Sequence, residues 1–119
     1  MSIDHRTTWD IYASAWKAAT TDDKAVALRT SVAPDAIYRD PLTEARGHAA
    51  LLAAMLAFHQ GVPGGHFVTT QFQAHHDRSI AHWTMHDAHN ALIGNGTSYG
   101  EYGPDGRLVA MTGFYALPT

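Results

Sequence analysis

A chain of 119 residues with 45% hydrophobic residues and a mean hydropathy of -0.21 has the size and texture of one globular domain, expected to span residues 1–119. Its formal net charge of -3 gives no electrostatic footprint for nucleic acid or an anionic membrane, and no apolar run reaches the roughly 18 residues that a membrane span needs. Zero cysteines remove disulfides, thiolate catalysis and cysteine-held zinc or iron–sulfur sites together. That absence, and a start from Met1 to Arg6 without the apolar core of a secretory signal, fit a cytoplasmic address.

Trp9, Tyr12, Ala13, Trp16 and Ala19 recur at steps of three and four, which predicts a first helix with these residues on one face. Thr21 is predicted to cap a second helix, with Asp22 and Asp23 suited to the positive end of its dipole. Its apolar face reads as Ala25, Val26, Leu28 and Val32, and it ends before Pro34. Residues 35–41 then read as a short strand that stops at Asp40. Pro41 has no N–H and biases Asp40 toward extended backbone angles, so the carboxylate is held in one direction, into the space between helices and sheet. A third helix follows Gly47, with Leu51, Leu52, Met55, Leu56 and Phe58 as its buried stripe, and the glycine-rich segment 61–65 breaks it.

From His66 the pattern changes to alternation. Val68, Thr70, Phe72 and Ala74 mark a strand, and 76–79 a turn. The strand from Ile80 to Asp87 sets Ala81, Trp83 and Met85 on one face and His82, Thr84 and His86 on the other. Ile93 to Tyr102 reads as another strand, although Asn95-Gly96 has turn chemistry; Pro104-Asp105-Gly106 is a tight turn, and Arg107 to Leu117 the last strand. Three helices with mostly antiparallel strands predict an α+β domain, its helices on one face of a curved sheet.

The nine histidines are the unusual compositional feature. His5, His48, His59 and His89 fall at element ends, where solvent exposure is expected, and His75 and His76 flank a hairpin turn. His82 and His86 lie about 13 Å apart along one strand face, too far to share a metal ion directly. No metal site is expected. His66 opens a strand after a flexible loop, at the rim of any pocket.

Tyr12-Ala-Ser-Ala-Trp16, then Ala36-Ile-Tyr-Arg-Asp40-Pro41, Gly47 opening a helix, and Asp105-Gly106-Arg107-Leu108 before Gly113-Phe114-Tyr115 stand in a recognisable order. Over essentially the whole chain this order resembles the nuclear transport factor 2-like superfamily, and within it the ketosteroid isomerases and SnoaL-like polyketide cyclases. The resemblance implies a cone: a strongly bent sheet wrapping the long first helix, with a pocket at one end. It also implies that Asp40 is the proton-moving carboxylate and Tyr12 the phenol that hydrogen-bonds a developing enolate. The late-strand acid of those enzymes falls here on Ser98, a departure, because serine cannot act as a neutral carboxylic acid donor. By the same resemblance Trp83, Met111, Gly113 and Tyr115 face the ligand, Trp16 forms a wall beside Tyr12, and the sheet's outer face, with His82, Thr84 and His86, pairs two copies into a homodimer.

The function this resemblance implies is that of an isomerase or cyclase acting on a hydrophobic small molecule, without cofactor because the ligand's carbonyl is the electron sink. Burial would raise the pKa of Asp40 toward a working range. Two alternatives stand beside it. The chain could be a non-catalytic ligand-binding or dimerisation module in which Asp40 caps a loop or pairs with Arg39 or Arg46. It could also be a hydrolase or dehydratase using Asp40 with a histidine to activate water.

Overall fold

The computed structural model describes residues 4–116. Helix α1, His5–Lys17, begins at Asp4, whose side chain accepts the Thr7 N–H at 2.8 Å, and it buries Thr8, Trp9, Tyr12, Ala15 and Trp16. Ala19 lies beyond the helix end and is exposed, so Ala15 completes the inward stripe instead. Helix α2, Thr21–Ser31, is capped by Thr20 rather than Thr21: the Thr20 hydroxyl accepts the Asp23 N–H at 3.1 Å. Its inward face is Lys24, Leu28 and Ser31, while Val26 is 52% exposed.

Lys24 explains why apolar spacing misplaces that face. Its side chain is 1% exposed, and its ammonium donates to the carbonyls of Ala15 at 3.2 Å and of Ala18, and to His59 Nδ1 at 2.9 Å. The lysine thereby satisfies carbonyls left open at the end of α1 and ties α2 to both other helices. His59 Nε2 completes the chain by donating to the Gly65 carbonyl at 2.9 Å. His59 and His48, whose Nε2 donates to the Val32 carbonyl at 2.7 Å, are therefore structural members and not solvated ends.

Strand β1, Val32–Arg39, starts where α2 ends, and Pro34 falls within it. It is followed by a three-residue strand β2, Glu44–Arg46, paired antiparallel with Tyr38 opposite Ala45. Helix α3 is Gly47–Gly61, opened by Gly47 at φ 84°, a conformation other residues rarely adopt. Then come β3, His66–His75; β4, Arg78–His86; β5, Leu92–Tyr102; and β6, Leu108–Phe114. Leu117, which the sequence assigns to the last strand, lies outside the described residues. The sheet order is β2-β1-β6-β5-β4-β3, antiparallel except where β1 runs parallel to β6. This is the α+β architecture expected, with β2 added.

Two local features set which side chains face inward. Pairing of β3 with β4 shifts register between Thr69 and Gln71. That bulge lets Phe67 and Phe72, of opposite parity in a regular strand, both pack on the core, and leaves Val68 43% exposed. Asn95-Gly96 is strand, not turn: a Cβ at Gly96 would stand 2.4 Å from Trp83 Cζ2 and 2.5 Å from the Phe114 carbonyl oxygen. The glycine is there so that the Trp83 ring can lie across β5. The inner face packs Leu108, Met111 and Tyr102 against Trp9, Tyr12 and Leu28 in one core. No helix of the described residues is long and apolar enough to cross a membrane.

Replacing Lys24 with Met keeps the buried volume but orphans the Ala15 and Ala18 carbonyls. Lys24→Met is predicted to lower unfolding free energy by about 2 kcal/mol, on the scale of charge-assisted hydrogen bonds. Equilibrium urea denaturation checks this, and an unchanged midpoint would show that the lysine contributes nothing to helix docking.

Candidate active site

The site is built on the hairpin between β1 and β2. Asp40 N–H donates to the Thr43 carbonyl at 2.9 Å and Thr43 N–H returns to the Asp40 carbonyl at 3.3 Å, closing a tight loop around Pro41 and Leu42. The Asp40 side chain has two donors of its own. Oδ1 accepts the Leu42 N–H at 2.9 Å, and Oδ2 accepts the phenol O–H of Tyr38. Tyr38 lies two residues earlier, near the end of β1, and its side chain turns to the same side as Asp40 just beyond it. The carboxylate is thus oriented from both sides. The expected loop-capping role is present, yet Arg39 turns to Glu44 at 3.1 Å, and among the described residues Asp40 has no ion-pair partner.

Asp40 opens on a cavity of about 1010 Å³ whose walls also include Tyr12, Trp16, Trp83, Ser98 and Tyr115. Gly113 forms part of the same wall, and a Cβ there would lie 3.6 Å from Asp40 Cβ and 3.7 Å from Ser98 Oγ, ordinary contact distances. The missing side chain leaves a notch between carboxylate and serine. Met111, expected beside them, is 1% exposed and belongs to the core, so it does not reach the cavity. Its place in β6 is opposite Tyr38, where packing closes over it.

Three phenols surround the carboxylate. Burial pushes Tyr12 far above the usual phenol range, and the negative charge of Asp40 adds to that. Tyr38 is raised further, by burial first, then by the neighbouring phenol of Tyr12 and by the bond and charge of Asp40. Tyr115 is raised by burial and by Asp40. All three stay neutral donors at any physiological pH. Ser98 has its acceptor role fixed: Trp83 Nε1–H, which can only donate, points to Ser98 Oγ at 2.9 Å. The serine's own proton remains available to another acceptor.

The opposite walls are apolar. Trp16 meets Phe58 and Phe67 edge to face with centroids 5.8 Å apart in each case, and Phe67 meets Trp83 at 5.0 Å. Helix α3 contributes Ala50, Ala53, Ala54 and Ala57, whose small side chains keep the space open. None of the nine histidines lies on these walls. The hydrolase reading therefore lacks its histidine beside Asp40. His66 stacks on His86 across the β3–β4 pair at 5.5 Å instead of standing at the rim. Among the described residues no three histidine or acidic side chains converge as a metal-binding group.

Tyr38 and Phe67 were not singled out from sequence. The signal for Tyr38 was its spacing of two from Asp40 on a strand. Phe67 was hidden by the bulge, which reverses its face.

The SnoaL-like domain family matches residues 12–116, and this chain belongs to that family. No curated protein matches it. Among solved structures it is similar to a SnoaL-like family protein from Agrobacterium tumefaciens str. C58, provisionally named an isomerase. The two share 23% identity over 95% of this chain and 97% of that one, with a TM-score of 0.88. A provisionally named polyketide cyclase from Sinorhizobium meliloti is similar at 16% identity, covering 93% of this chain and 99% of its own, with a TM-score of 0.73. A SnoaL-like protein of unknown function from Burkholderia thailandensis e264 shares 21% identity over 95% of each chain, with a TM-score of 0.72. At these identities the likeness is one of fold.

The phenols make a pH prediction. The folded chain holds the protons of Tyr12, Tyr38 and Tyr115 more tightly than the unfolded chain does, and that of Tyr102 likewise, burial pushing it up to about 12. The stability they confer is complete below the unfolded phenol value, near pH 10, and is lost as pH climbs toward and beyond 12. Lys24 acts with the opposite sign, because burial holds its ammonium below the usual lysine value, but it is one group against four. Urea midpoints measured from about pH 8 to about pH 11.5 should fall steeply above about pH 10, together with the rise of tyrosinate absorbance. A flat midpoint across that range would contradict the burial assigned to these phenols.

Proposed function

We propose that this chain is a cofactor-independent isomerase or cyclase that abstracts a proton next to a carbonyl in a flat, apolar small molecule. The observation that carries the reading is Asp40: a carboxylate without a cationic partner among the described residues, oriented by Tyr38 and Leu42, on the wall of an aromatic cavity shared with the buried phenol of Tyr12. In the proposed step the Asp40 carboxylate takes the proton from carbon. The C–H electron pair moves into the carbonyl, and the oxygen that becomes negative receives hydrogen bonds from Tyr12 and from the free Ser98 proton. Where the ketone carries a β,γ double bond, Asp40 then returns the proton to the γ-carbon of the dienolate as the carbonyl re-forms, giving the conjugated isomer. Alternatively the enolate carbon bonds to a second carbonyl carbon, the π bond of that carbonyl opens to an alkoxide, and Asp40 gives its proton to that oxygen. No redox change occurs, and the carbonyl itself accepts the electron pair.

A second reading is favoured by Ser98. With a hydroxyl in place of the late-strand acid, oxyanion support is weaker, and the same cavity would serve to hold an apolar ligand without turning it over. In either reading the outer sheet face is proposed to meet a second copy of the chain, since Val68, Ile80 and Phe114 stand exposed there among His82, Thr84 and His86.

Deuterium uptake from solvent into a panel of flat bicyclic and polycyclic ketones, followed by mass spectrometry, tests the proton transfer without knowledge of the product. The native protein should accelerate exchange at carbons next to the carbonyl for at least one ketone. Asp40→Asn should cut that exchange by about 10²-fold or more and Tyr12→Phe by a smaller factor. Equal exchange with and without the Asp40 carboxylate would remove it as the base and leave the binding reading.

A further inference from the structure

Among the described residues, the cavity is lined by two carboxylates, by aromatic rings and small side chains, and by no cation. Of the eight lysines and arginines and nine histidines in the chain, none is on its walls. The two acids that are there differ in kind. Glu44 is paired with Arg39 at 3.1 Å, whereas Asp40 is met by uncharged donors, the Tyr38 phenol and the Leu42 N–H, with the Tyr115 phenol also beside it. Asp40 is thus a half-buried carboxylate on the cavity wall with no counter-ion among the described residues. Its charge is felt by the surrounding phenols, adding to the burial that already holds Tyr12 and Tyr115 neutral. The adjoining walls carry Trp16, Trp83, Phe58 and Phe67, whose ring faces present negative potential.

We infer that this cavity selects ligands by charge: it binds aromatic amines in their protonated form, ammonium toward Asp40 and ring among the indoles, and rejects anionic analogues of the same shape. The missing counter-ion is supplied by the ligand. Cation–π attraction to the Trp and Phe rings of the walls adds to the carboxylate's pull, whereas a ligand carboxylate would meet no cation there. The inference does not rest on catalysis. An ammonium seated on Asp40 occupies the lone pairs that proton abstraction needs, so an amine of this class competes with a ketone for the site and is not itself turned over.

Three probes of one shape test it: 2-naphthylmethylammonium, 2-naphthylmethanol and 2-naphthoate, titrated calorimetrically into the full chain at neutral pH. The ammonium should bind about tenfold or more tightly than the alcohol, in line with a cation–π contact plus a carboxylate. The naphthoate should bind more weakly than the alcohol. In Asp40→Asn, whose side chain keeps an oxygen for the Leu42 N–H, the ammonium's advantage over the alcohol should collapse. Naphthoate binding as well as the ammonium, an ammonium advantage that survives in Asp40→Asn, or no binding by any of the three would each overturn the inference. Because the ranking is read without turnover, a chain that fails the deuterium test can still pass this one.

Discussion

One carboxylate organises this molecule's candidate site, and two hydrogen bonds hold it there. Pro41 cannot continue the β1 ladder, the chain reverses through 40–43, and the turn brings the Leu42 N–H back onto Asp40 while Tyr38 reaches it along the strand. Neither donor is charged. The side chain is therefore oriented while keeping its negative charge, which a lysine or arginine in either place would have cancelled. Any chemistry or selectivity assigned to the cavity follows from that arrangement.

The rest of the fold serves to keep space in front of Asp40. Helix α1 brings Tyr12 and Trp16 to one wall, and α3 lines another with alanines while Leu51 and Met55 anchor it to the core. Lys24 and His59 lock the helices together behind the cavity, so the polar groups consumed in holding the scaffold lie away from its interior. Glycines finish the shaping: Gly96 admits the Trp83 ring and Gly113 leaves the notch beside Ser98. The indole then fixes the serine as an acceptor, which turns its hydroxyl proton toward any ligand that offers an oxygen.

Much of this was legible in the sequence because it depends on local rules. The Asp-Pro stop, the α1 stripe of Trp9, Tyr12 and Trp16, and the alternation of Ala81, Trp83 and Met85 all follow from spacing and backbone preference. What escaped depended on partners distant in the chain. Lys24 falls outside the apolar face read from spacing, because its partners at the end of α1 and at His59 lie elsewhere in the chain. The Thr69–Gln71 bulge reverses half a strand without altering its composition, so regular alternation with Phe72 does not point to Phe67. Strand β2 is three residues long, too short for any alternation to show. Met111 has the parity of a cavity residue, yet its position opposite Tyr38 buries it.

The central claim is that the Asp40 carboxylate faces a bound ligand inside the aromatic cavity. A crystal structure of the chain with 2-naphthol, a flat phenol standing in for an enol, tests it most directly. The naphthol ring should lie between Trp16 and Trp83, with its hydroxyl about 2.6–3.2 Å from Tyr12, Ser98 or Asp40. Naphthol bound only on the outer face of the sheet, or an Asp40 side chain turned to bulk water with the cavity closed by side chains, would contradict it.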